Sequence, residues 1–161
     1  MAVALLILAL LNVALAVPDH FYTTVLQEAE SAVNHGGYVL EGAAGDLYVK
    51  SHPLAVPLYR FHKSDIDRHL YTTSETERSD VLAGGWTSEG IAGYCFPEST
   101  VQQGSKPLYR LFNAQVFDHL YTTSMAEAVS VQSGGYKLEG LACNLPAPGD
   151  ATLPFLRLFR P

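Results

Sequence analysis

Asp118-His119-Leu120-Tyr121-Thr122-Thr123-Ser124 has two earlier relatives in the chain, Asp19-His20-Phe21-Tyr22-Thr23-Thr24 and His69-Leu70-Tyr71-Thr72-Thr73-Ser74. The three lie roughly 50 residues apart, the spacing of a repeat architecture. In the second copy Arg68 reads as an extra residue between Asp67 and His69. Working outward, each copy is followed by a glycine pair and an aromatic: Gly36-Gly37-Tyr38, Gly84-Gly85-Trp86 and Gly134-Gly135-Tyr136. Glu-Gly comes next, as Glu41-Gly42, Glu89-Gly90 and Glu139-Gly140. Each unit closes with Pro57-Leu58-Tyr59-Arg60-Phe61, Pro107-Leu108-Tyr109-Arg110-Leu111 or Pro154-Phe155-Leu156-Arg157-Leu158. Four signatures in one order, three times over, define units at approximately 17–66, 67–116 and 117–161.

Each signature has a physical reading. In His-Leu-Tyr-Thr-Thr the period-2 alternation of a strand puts Phe21, Leu70 and Leu120 on one face and the His and Tyr on the other. Ser74-x-x-Glu77 and Ser124-x-x-Glu127 are capping boxes that open a short helix, and Thr24-x-x-Gln27 is the candidate cap in the first copy. The glycine pair ends that helix, because the residue after a helix commonly turns left-handed and glycine does so without strain. Residues 38–41 and 45–49 read as two further strands, and Leu-Tyr-Arg-Phe as a fourth. Four strands per unit, twelve in all, with one short helix each, predict an all-β fold: a β-trefoil of three pseudo-symmetric units. The last strand, 155–159, should then lie beside the first.

The order Leu-Tyr-Arg, Asp-His-(Phe/Leu)-Tyr-Thr-Thr-Ser, Gly-Gly-(Tyr/Trp), Glu-Gly-Ile-Ala-Gly-Tyr is similar to a repeat family of secreted bacterial and fungal proteins of unknown function. The resemblance spans essentially the whole chain after its leader. It implies a β-trefoil, found alone or attached to secreted hydrolases. Where that family usually has Gly before Asp-His, this chain has Ile66 and Phe117, and its third unit has Leu156 in place of the motif tyrosine.

Composition narrows the function classes. At 161 residues with 48% hydrophobic and 16% charged side chains, the chain can bury a core and is not disordered. Its net charge of −6 argues against nucleic acid as a partner. Residues 1–17 hold no charged side chain and contain the small-x-small pattern Ala14-Leu15-Ala16. They predict a signal peptide at 1–16, one domain at 17–161, and a secreted, extracellular protein with no membrane span in its mature form. Cys95 and Cys143, the two cysteines, predict one disulfide.

The repeated polar residues are the candidate ligand-binding set. They are His20, Tyr22, Glu41 and Arg60; His69, Tyr71, Trp86, Glu89 and Arg110; and His119, Tyr121 and Glu139. Three readings of the histidines stand side by side: pinning a turn by bonding Asp, lining a pocket with the tyrosines, or meeting at the symmetry axis as a metal site. Arg60, Arg110 and Arg157 read either as ion-pair partners of Glu41, Glu89 and Glu139, the glutamates of their own units, or as donors to a polar ligand. Tyr38, Trp86 and Tyr136 either plug the gap beneath the helix or stack on a sugar ring. Catalysis is disfavoured, because every candidate comes in triplicate whereas an enzyme site needs one nucleophile, one base and one stabiliser. The expectation is a non-catalytic, lectin-like carbohydrate binder with up to three related sites and no cofactor. The alternative is a secreted protease inhibitor or protein-interaction module acting through loops 51–56 or 97–106. On the lectin reading, Tyr71→Phe combined with His69→Ala should weaken binding and spare stability.

Overall fold

A computed structural model describes residues 18–149 and 151–161; the expected signal peptide and its cleavage site lie outside them. Nine strands and three short α-helices are present among the described residues. They run β1 (Asp19–Thr23), α1 (Leu26–His35), β2 (Val39–Tyr48), β3 (Val56–Lys63), β4 (Arg68–Thr72), α2 (Glu75–Ala83), β5 (Thr87–Cys95), β6 (Lys106–Asn113), β7 (Asp118–Thr122), α3 (Met125–Ser130), β8 (Lys137–Leu145) and β9 (Thr152–Arg160). The protein is all-β in character, with every strand pairing antiparallel. Three triplets recur, β1-β9-β2, β4-β3-β5 and β7-β6-β8. Only the pair Tyr48–Tyr94 joins the first two triplets into one sheet. The last strand does lie beside the first, with His20 opposite Phe159.

Nine strands replace the expected twelve because residues 38–41 and 45–49 do not form two strands. They are parts of one long strand, β2, bent at two places where its register with β9 slips by a residue. The same two slips recur between β3 and β5 and between β6 and β8. At the first slip the extra residue is Glu41, Glu89 or Glu139, and the following glycine takes a left-handed φ of 127°, 91° or 132°. A bulge re-aims the side chain of its extra residue, and glycine accepts the backbone turn that this needs. The Glu-Gly signature is therefore a bulge signature. At the second slip the extra residue is Ala44, Ala92 or Ala142. Each spare carbonyl accepts a hydrogen bond from a threonine of the preceding repeat: Thr123 to Ala44, Thr24 to Ala92, Thr73 to Ala142.

The registers also correct the reading of Arg68. β4 starts at Arg68 just as β1 and β7 start at Asp19 and Asp118, and Arg68 pairs Lys63 as Asp118 pairs Asn113. Nothing is inserted; an arginine stands in the aspartate position. The left-handed residue before it is Asp67 (φ 51°), matching Phe117 (φ 56°).

Helix starts follow the sequence in two copies. Ser74 and Ser124 accept from the backbone N–H of Glu77 and Glu127. In the first copy the N-cap is Val25, with no side-chain cap, and the Thr24 hydroxyl serves the bulge at Ala92 instead. α1 and α3 each bury one alanine, Ala29 or Ala128, against their own sheet. In α2 the corresponding residue is Arg78, which lies over the Tyr59 ring, and this helix buries nothing.

The largest core cluster is where β1, β4 and β7 lie against one another. Tyr22, Tyr71 and Tyr121 are each 0% exposed there. Leu47 packs so closely on Gly93, and Leu145 on Gly45, that a Cβ at either glycine would come within 2.7 or 2.4 Å of leucine carbon. Cys95 corresponds to those leucines and Cys143 to those glycines, and the third such contact is the Cys95–Cys143 disulfide, with a Cα separation of 6.2 Å. The two-residue offset between the cysteines is thus the offset of a leucine-on-glycine contact.

Candidate functional site

The tyrosines do not form the expected sites. Each phenol closes a ring through the backbone of another repeat. Tyr71 Oη donates to the Tyr22 carbonyl at 2.7 Å and accepts from the Tyr22 N–H at 2.9 Å. Tyr121 does the same to Tyr71, and Tyr22 to Tyr121. Burial pushes all three phenols well above their usual pKa. Fully buried and doubly bonded, Tyr22, Tyr71 and Tyr121 have no surface for a ligand. They occupy the axis at which a three-histidine metal site was one reading.

The histidines sit further out and pair across repeats. His20 Nδ1 lies 2.6 Å from Asp118 Oδ2, and its N–H donates to Asp118 Oδ1. His69 Nδ1 lies 3.1 Å from Asp19 Oδ2. By the same rule His119 should pair with the second repeat's aspartate, but that position is Arg68. His119 Nδ1 is accordingly buried with no partner. Burial, then the Arg110 charge, push the imidazole pKa down to about 4. Tyr38 and Tyr136 donate their hydroxyls to Asp19 and Asp118. Trp86, half-buried in the corresponding place, has no hydroxyl to donate and stands in the repeat that lacks the aspartate.

The arginines are held from two sides. Arg60 Nε lies 2.8 Å from Glu89 Oε2, Arg110 Nε the same from Glu139, and Arg157 Nε the same from Glu41. These are the bulge glutamates, but each belongs to the next repeat and not to the arginine's own unit, so the expected pairs Arg60–Glu41, Arg110–Glu89 and Arg157–Glu139 are replaced by pairs one repeat on. The second partner comes from the neighbouring helix. Glu28 grips Arg60 through both oxygens at 2.8 and 2.9 Å, Glu77 reaches Arg110 at 2.7 Å, and Glu127 grips Arg157 at 2.9 and 3.0 Å. Burial would raise the Glu28 and Glu77 carboxyls, but their arginines hold both below the usual range; for Glu127 the Arg157 bond is the leading cause. Sequence reading saw Glu77 and Glu127 as capping residues and missed this use. The clue was present: the glutamate recurs at Glu28, where no serine caps the helix.

Each junction between repeats therefore carries a bar of helix glutamate, arginine and bulge glutamate, with a histidine beside it. A hollow of about 290 Å³ opens on one side of the first bar, lined by Thr23, Thr24, Glu28, Arg60, Glu89 and Ala92. The matching hollow at the second bar measures about 390 Å³ and is lined by Thr72, Thr73, Glu77, Arg110, Glu139 and Ala142, among others. On the other side of the first bar lies a cavity of about 400 Å³ between α1 and the β3–β4 hairpin. No cluster with the makings of a metal site occurs among the described residues. No helix there is long and apolar enough to cross a membrane.

The chain belongs to the family described as "Domain of unknown function (DUF5648)", which matches residues 14–161. No curated protein and no solved structure matches it.

Proposed function

We propose that this member of the family is a secreted, non-catalytic binding protein whose ligand is a neutral carbohydrate. The observation that carries the reading is the repetition of one lining, paired threonines with an arginine held between two glutamates, in hollows at two junctions. Sugar hydroxyls are bound by fixed planar donors and acceptors, and these residues are held rigidly by one another. Each bar sets two carboxylates against one arginine, and the negative charge left over disfavours an anionic ligand. The disulfide and the apolar leader support secretion. The cyclic Thr-to-Ala, Tyr-to-Tyr and Arg-to-Glu contacts support a trefoil array of three pseudo-symmetric units, with three strands per unit, one of them bulged, rather than four. Binding of the fluorescently labelled protein to a glycan array tests the reading. Absence of binding to any neutral glycan would sink it.

A second reading has its own observation. The loop at 97–105 is tied down from within by Asn144, whose side-chain amide donates to the carbonyls of Pro97, Glu98 and Thr100. At its tip Val101 is 75% exposed. A held loop presenting an apolar side chain suits a protein partner. A protease-inhibition panel run on the same material, with Val101→Asp as control, separates the two readings.

A further inference from the structure

The cavity between α1 and the β3–β4 hairpin has no counterpart of like chemistry at the other junctions. Its polar walls are Glu28, His62, Asp67, His69, Glu89 and Arg160, set above Phe21 and Tyr38. Its volume of about 400 Å³ falls in the roughly 300–1,000 Å³ range of small-molecule sites. The strand registers explain why it occurs once. His62 stands opposite His69 where Phe112 stands opposite His119 and Phe159 opposite His20. Asp67 holds the position of Phe117 in the third repeat and of Pro18 in the first. At the second junction Phe112 and Phe117 pack edge to face, their centroids 5.3 Å apart. At the first, the same two positions are a hydrogen-bonded pair, His62 Nε2 to Asp67 Oδ1 at 2.9 Å.

The wall chemistry defines a ligand class. Glu28 and Glu89 are engaged with Arg60, and Asp67 Oδ2 accepts from Arg160 at 2.6 Å. Three carboxylates thus face two arginines, and the net negative charge that remains disfavours an anionic ligand. Among the described residues, His62 Nδ1 and Glu89 Oε1 make no hydrogen bond, and His69 Nε2 reaches only to 3.9 Å from Glu89. These leave donors and acceptors at fixed positions for hydroxyl groups. The aromatic rings below are already covered: Arg60 and His69 lie against Phe21, and Arg160 over Tyr38. Recognition here works by hydroxyl hydrogen bonding and not by ring stacking.

We propose that this cavity is the principal ligand site, taking one sugar residue of a neutral glycan per chain, an inference that rests on the carbohydrate reading above. The repeats then supply one strong site and not three equal ones. Isothermal titration with a panel of neutral sugars (glucose, galactose, mannose, N-acetylglucosamine, lactose and cellobiose) tests it, using wild type, His62→Phe, Asp67→Asn and Thr73→Val. His62→Phe installs the residue that the other repeats carry, and left-handed backbone tolerates Asn at 67. The expected result is one principal site per chain, at least about tenfold weaker binding in both cavity variants, and a smaller loss in Thr73→Val, whose hollow is the weaker subsite. Three equal sites per chain, wild-type affinity in both cavity variants, or loss of binding in Thr73→Val alone would overturn the single-site inference while leaving the carbohydrate reading standing. Failure of wild type to bind any neutral sugar on the panel or the array would remove both.

Discussion

Tyr71→Phe removes one oxygen from the centre of the molecule. That oxygen satisfies two buried backbone groups, the N–H and C=O of Tyr22, at 2.9 and 2.7 Å. Tyr22 is 0% exposed, so no water replaces the lost partner. Leaving a buried donor or acceptor unpaired costs about 1–3 kcal/mol each, so the substitution should cost about 2–6 kcal/mol, centred near 4. That is a large share of the roughly 5–15 kcal/mol by which domains are stable. For a domain of this size it corresponds to a fall in Tm of about 10–15 °C. The sequence alone favoured the opposite outcome, with stability spared and binding lost. Tyr59→Phe is the control, because its hydroxyl meets Glu75 at the surface and its loss should stay within about 0.5 kcal/mol. Urea unfolding followed by near-ultraviolet circular dichroism reads both variants. A Tyr71→Phe protein within about 1 kcal/mol of wild type would refute the buried-ring reasoning.

The disulfide closes 48 residues, for which chain entropy predicts about 4 kcal/mol, so Cys95→Ala/Cys143→Ala should lose about 2–4 kcal/mol. Cys95→Leu/Cys143→Gly restores the leucine-on-glycine contact of the other junctions and should unfold at higher urea than the double alanine; a lower midpoint would contradict the equivalence. His119 carries a pH signature: folded it takes its proton near 4, unfolded near 6.5, so the unfolded chain binds more protons between those values. Its contribution to stability is therefore lost as pH falls from about 6.5 toward 4, by about 2–3 kcal/mol, and His119→Gln should lose correspondingly less between pH 7 and 4.5 in chemical unfolding. Equal losses in wild type and variant would show that His119 is not the group responsible.

The repeats, the strand through His-x-Tyr, two of the three helix caps, the glycine helix ends and the disulfide were legible in the residues, because each rests on local chemistry or on recurrence. What was not legible is where a strand bends. Residues 38–41 and 45–49 look like two strands because Gly42 and Gly45 interrupt them, and only the partner strand β9 reveals that the chain continues through two bulges. The site suffered from the same gap. A period-2 reading places His20 and Tyr22 on one face, but it does not say that this face meets two other copies of itself. Tyr22 lies inward of His20, so the tyrosine becomes core while the histidine reaches the junction. His62, Asp67 and Arg160 carry no recurrence to mark them, and they are what makes the cavity at the first junction differ from its counterparts.

The departures in the second repeat form one connected change. Asp19, Asp118 and Arg68 begin the three strands that meet at the axis, and they are 0%, 1% and 2% exposed. A third aspartate there would add another buried carboxylate to two already present, and like charges in a low-dielectric site oppose one another. Arg68 supplies the opposite sign and anchors itself on the carbonyls of Asp67 and Val116. Its presence has two consequences. The aromatic after the glycine pair no longer has a carboxylate to receive its hydroxyl, and Trp86 replaces tyrosine. His119 Nδ1 no longer has an aspartate to bond, and burial holds the imidazole neutral. Phe112 packs on His119 and on Phe117, while Glu139 of the arginine bar lies 3.7 Å from the imidazole Nε2. The first junction keeps both Asp19 and Asp67 and stays polar. One substitution at the centre thus accounts for the neutral His119 and for Trp86, whereas the polar cavity at the first junction follows from His62 and Asp67, where the other repeats carry Phe112 and Phe159, and Phe117 and Pro18.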